Sequence, residues 1–135
     1  MSGALRADVQ GTAAIEMAIA LPILLALIMG IISYGDWFLT AHTVQQAAND
    51  AARAAIAGLT SDERRDLASN NVKTMLARGG ALDPAKATTS LTDDGATLAV
   101  QVSYDASLDP LLRMSFVVSP NPHIQRNAAI VLGGM

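Results

Sequence analysis

Glu16 is the ionisable residue that most needs an account. It lies in the stretch GTAAIEMAIALPIL, Gly11 to Leu24, and the 19 residues after it, Met17 through Gly35, carry no charge. A carboxylate at the edge of an apolar span is costly unless partnered, which makes it a functional residue by default. The plain alternative is a boundary residue whose carboxylate reaches back to lipid headgroups.

The other reactive side chains form no constellation. His42 and His123 are far apart, with no ligand spacing around either, so no metal site is read. The serines lack a Ser–His–acid arrangement and a nucleophile elbow. Gly79-Gly80 reads as a helix stop and not as a phosphate loop. The run Asp62-Glu63-Arg64-Arg65-Asp66 reads as a solvated first turn with acids near a helix N-terminus. Neither an enzyme site, a cofactor site nor a small-molecule substrate site is therefore expected. The net charge of −3 with no basic run speaks against a nucleic-acid partner. The absence of cysteine removes disulfides and thiol chemistry.

The elements that would carry Glu16 follow from hydrophobic pattern. The 135 residues are 51% hydrophobic and 16% charged, and the apolar excess is local. As a helix, 19 residues cover about 28 Å, close to the hydrocarbon thickness of a bilayer. Residues 1–10 are polar and show no periodicity. From Gly11 the chain reads as one long helix, apolar all round from Met17 to Ile32. Pro22 deprives the Ala18 carbonyl of its donor, and a bend or loosened turn is expected there. Tyr34, Trp37 and Phe38 cluster at the far end, where an aromatic belt would meet the membrane surface. The helix should continue through HTVQQAANDAARAAIA, with a stripe of Val44, Ala47, Ala48, Ala51 and Ala55, and stop near Gly58.

A second helix is expected after Thr60, whose spacing to Glu63 is that of a capping box, with Ala68, Val72, Met75 and Leu76 buried. Beyond Pro84 the period changes to two. Leu98, Val100, Val102 and Tyr104 share one face of a strand, and Asp94-Gly95 marks a hairpin to a partner strand at Ala87–Leu91. A third strand is expected from Ile124 to Leu132. Between them LLRMSFVVSPNP reads as a proline-broken loop over the sheet edge. Its Leu111, Leu112, Met114 and Phe116 form either a patch for a partner or a cap on the domain's own core. The expected fold is α+β: a long N-terminal transmembrane helix, a second helix, and a small antiparallel sheet of about three strands.

Three readings compete for residues 1–40. A cleaved secretory signal is disfavoured by the length of the uncharged span, the barely basic start and the lack of a small-x-small cleavage site. A plain single-pass anchor would carry an outer domain that binds another envelope component. The third reading rests on a resemblance. Gly11 followed by TAAIE looks like the processing site of type IV prepilins, and GTAAIEMAIALPILLALIMGIISYGDWF is similar to the N-terminus of TadE-like and TadG-like proteins of the tight-adherence pilus system. Past about residue 60 the likeness is one of layout only.

That resemblance implies a minor pilin or pseudopilin of pilin-like fold. It would have a leader at 1–11, a long helix at 12–58 that spans the membrane at 17–35, and a small α+β domain at 59–135. A prepilin peptidase would cut after Gly11, where a residue without a side chain suits backbone drawn into a protease site. The new amine of Thr12 would meet Glu16 of a neighbouring subunit, a pairing that makes both charges tolerable in an apolar bundle. Other pilins would pack along the helix through Ala14, Ala18, Pro22, Ala26 and Gly30, where small residues four apart permit close approach. The implied setting is the lipid of the bacterial inner membrane, with the C-terminal domain periplasmic and the protein available for a surface pilus. Charge does not set that orientation: Arg6 is offset by Asp8, and near the other end only Arg53 is close.

Overall fold

The computed structural model describes residues 2–133, with side chains from Asp8 onward. The architecture is α+β. A first helix, α1 (Ser2–Ala55), is followed by α2 (Ser61–Arg78) and by strands β1 (Ala87–Asp93), β2 (Thr97–Asp105) and β3 (His123–Val131). The strands form one antiparallel sheet in the order β1-β2-β3.

Helix α1 has 54 residues, about 80 Å at 1.5 Å per residue. It begins at Ser2 and not at Gly11, where the sequence pattern placed its start. Ala4, Leu5, Arg6 and Ala7 are strong helix formers, and once the span supplies a nucleus, propagation needs no amphipathic period. The helix also continues through Pro22 without interruption. It ends at Ala55, three residues before Gly58, in tightened bonds: Ile56 N–H to Arg53 O, Ala57 N–H to Ala54 O and Gly58 N–H to Ala55 O, at 3.3, 3.3 and 3.1 Å. Gly58 is needed for space. A Cβ there would lie 2.7 Å from the backbone nitrogen of Arg64.

Thr60 caps α2. Its hydroxyl accepts from Glu63 N–H at 3.2 Å, while the Glu63 carboxylate accepts from Leu59 N–H at 2.8 Å. The reciprocal bond of the capping box thus lands one residue outside the cap. Ala68, Val72 and Leu76 are buried, and Met75 packs partly against the core. At the other end Gly80 takes φ +63°, a conformation open to glycine.

In the sheet, Leu91 pairs with Val100, and Val100 in turn with Ala128. Leu98, Val100, Val102 and Tyr104 all point inward, as the period of two requires, joined by Leu91 and Ile124. β1 runs two residues beyond its expected end, to Asp93, and β3 is His123–Val131. The inner face is covered by helices. α2 packs on α1 and β1, and α1 packs on β2 and β3. The C-terminal part of α1 is therefore walled on two sides. Ala41, Val44, Ala47, Ala48, Ala51, Ala52 and Ala55 are all buried, a wider stripe than the sequence pattern showed. Alanine is what lets a helix and a sheet approach one helix at once.

The segment between β2 and β3 does not cover the sheet edge. It lies along α1 instead. Leu112 enters the core, Trp37 Nε1–H donates to the carbonyl of Asn121 at 2.8 Å, and Val117 sits over Gly30. The apolar flank of α1 offers this segment a surface of its own kind, which the polar rim of the sheet does not.

Candidate processing site and membrane span

Gly11, Thr12 and Glu16 all lie on exposed helix. The Thr12 hydroxyl donates to the carbonyl of Asp8 at 2.9 Å. A shallow groove is lined by Asp8, Val9, Thr12, Ala13 and Glu16, so the two carboxylates share a face with Thr12 between them. No described side chain makes an ion pair with Glu16. Gly11 is helical, not extended, so any protease acting there would have to unwind this turn. Glycine lowers that cost because it stabilises a helix least of the ordinary residues.

The span itself is bare. Ile15, Ile19, Ile23, Leu27 and Ile31 are exposed, and none of the most apolar window of α1 is buried inside the protein. This segment is long and apolar enough to cross a membrane. Ala14, Ala18 and Pro22 are open along it, whereas Ala26 and Gly30 are half-covered. What covers them is the chain's own Phe116, Val117 and Val118. The small-residue stripe is therefore free in its first half and met by an intramolecular neighbour in its second.

The three aromatics divide. Tyr34 and Phe38 are exposed. Trp37 turns inward, bonded to Asn121, edge-on to Phe38 with centroids 5.2 Å apart, and with the Arg126 guanidinium 5.9 Å from its ring. Trp37 thus ties the helix to the domain as well as marking the end of the span. Sequence reasoning missed Ser33, buried inside the uncharged run, and Asp36, half-buried one residue past it with a carboxylate oxygen that has no partner. A serine and an aspartate on the same helix as Trp37 were the available signal, since polar groups there must face protein.

A long helix with an exposed apolar first half and a far half built into a small α+β head fits a single-pass membrane anchor. Residues 11–53 match the family described as TadE-like protein. That match covers 43 of the 135 residues, opening at Gly11 and closing two residues before the end of α1. The resemblance read from Gly11 to Phe38 lies within this matched segment. No curated protein and no solved structure matches the chain.

Proposed function

We propose that this chain is a minor pilin or pseudopilin of the tight-adherence system, made as a membrane precursor, cut between Gly11 and Thr12 by a prepilin peptidase, and used in assembling or priming the pilus. The domain lies on the periplasmic side of the inner membrane in this reading. The observation that carries it is the coincidence of boundaries: the TadE-like match starts at the glycine before the expected cut and takes in both Glu16 and the bare span.

Charge gives the cut a purpose. Before it, the groove at Thr12 holds two carboxylates, Asp8 and Glu16. They are eight residues apart, about 12 Å along the helix. Cutting removes Asp8, removes the acceptor of the Thr12 hydroxyl, and creates an amine on Thr12. A groove lined by two carboxylates becomes one with a single carboxylate and a cation beside it. Only the second form is self-complementary between neighbouring helices, whose open Ala14 and Ala18 allow close approach.

The test is Glu16→Gln in cells that make the pilus. Membrane insertion and cutting should persist, while recovery of the protein with sheared surface filaments should fall. Leaving an amine unpaired in an apolar bundle typically costs about 3–5 kcal/mol, more than a hundredfold in an assembly equilibrium. Normal pilus yield with normal incorporation would return Glu16 to the role of a boundary residue.

A further inference from the structure

The loop between β2 and β3 leaves four large apolar residues exposed. Leu112 is buried in the core and Val117 lies against α1, while Leu108, Leu111, Phe116 and Val118 are exposed. Phe116 is 87% exposed and Val118 85%. For a large aromatic, such exposure is a cost in water and a gain in lipid. The position of the loop decides between the two solvents. Val117 sits so close to Gly30 that a Cβ added there would lie 3.6 Å from its Cγ1. Gly30 is five residues inside the end of the uncharged span at Gly35, about 7–8 Å along the helix axis. A membrane that wets Ile31 and Leu27 to their full depth must also reach the loop tip beside them.

We infer that the loop tip Phe116–Val118 is a second membrane contact, a wedge that enters the leaflet on the domain's side next to the transmembrane helix. The inference rests on reading Met17–Gly35 as a membrane span. The depth matches that of interfacial apolar elements, which enter the headgroup–acyl boundary by about 5–10 Å. The flanking residues suit such a setting. Arg113 is exposed on one side of the tip, and Ser119 and Asn121 on the other. The Trp37–Asn121 bond fixes where the loop rejoins the helix, so the wedge has a set depth and the domain cannot swing freely on its helix. Two lipid contacts side by side orient the head in a way that one helix does not.

The lack of native cysteine allows single-site labelling of the full chain in liposomes. An environment-sensitive fluorophore would be attached to Phe116→Cys, to Leu27→Cys in the span, and to Asn70→Cys on the exposed face of α2. Quenching would be measured with lipids brominated near the headgroup and with aqueous iodide. The expected result is lipid quenching at 27 and at 116, several-fold above that at 70, with iodide quenching at 70 alone. Val118→Cys repeats the loop measurement at a side chain that packs on almost nothing, in case Phe116→Cys perturbs the fold. Lipid quenching at 27 with iodide quenching at 116 and 118 would overturn the wedge while leaving the span intact. Shielding of 116 and 118 from both quenchers would assign the tip to contact with another copy and also overturn it. No lipid quenching at 27 would remove the span, and the wedge with it.

Discussion

Arg64 fastens three parts of the domain with one guanidinium. Its Nε–H donates to the carbonyl of Gly58 at 3.0 Å, and its terminal nitrogen pairs with Asp93 at the end of β1. Asp93 is only 7% exposed. It also accepts from the Gly95 N–H at 2.9 Å, and that amide first, then Arg64, holds its carboxyl below the ordinary carboxylate range. Asp94 is lowered by the Thr97 and Ala96 amides, and Asp105 by Ser107, with a further contribution from His123. All three shifts have the same sign. A carboxylate whose folded pKa is depressed contributes stability that is complete above its unfolded value, near 3.9, and is lost as pH falls through the folded one. Loss of these three contributions should lower the melting temperature of the full chain in detergent below about pH 4, while Asp36, raised by burial and then by Asp109, acts in the opposite direction as pH falls from neutral. Arg64→Met, which keeps the apolar stem, should melt lower at neutral pH and fall less on acidification. A wild-type melt that ignores acid would contradict this account of the hairpin end.

At the scale of elements, α1 does two jobs along one axis. Its first part is apolar and mostly exposed, covered where the loop tip meets Ala26 and Gly30, and its last part, Ala41–Ala55, is a wall of the domain core. The folded unit is therefore not closed by residues 59–135 alone. A chain begun at Thr60 would expose the inner faces of α2 and the sheet. One begun at Asp36 keeps that wall. We expect a fragment of residues 36–133 to melt cooperatively and one of residues 60–133 to lack a cooperative transition, as read by circular dichroism. In the full chain, Val100→Ala and Val102→Ala should each cost about 1–3 kcal/mol, because both side chains are wholly buried. A melt indifferent to either change would mean that the register pairing Leu91 with Val100 is wrong. The buried face of β2 was legible in the sequence because leucine, valine, valine and tyrosine alternate with small or polar residues, whereas its pairing with β1, residue against residue, was not. The course of the loop was not legible. LLRMSFVVSPNP has no period, and what its apolar residues pack on is decided by which surface lies nearby once the sheet has formed. The helical state of residues 2–10 was hidden for a related reason: periodicity reports burial, and a helix propagated from its neighbour needs none.

For the whole molecule, the candidate site was legible in part. Glu16 and Gly11 stood out because a lone carboxylate is conspicuous at the threshold of a 19-residue uncharged run. Trp37 was visible as a marker of the membrane boundary, but its inward bond to Asn121, 84 residues away, is a tertiary fact that no local pattern carries. The same holds for Ala26 and Gly30, whose small size is shared between packing along the helix and the approach of Val117. The molecule that results is one rod with a head built around its end.

The central claim is that the first eleven residues are removed at Gly11/Thr12. Intact-mass measurement and N-terminal sequencing of the chain, purified from cells with and without a co-expressed prepilin peptidase, test it directly. With the peptidase, the account predicts a mature chain that starts at Thr12, and a Gly11→Leu chain that stays full length. A mature N-terminus at any other residue, or a wild-type chain left whole by an active peptidase, would contradict it.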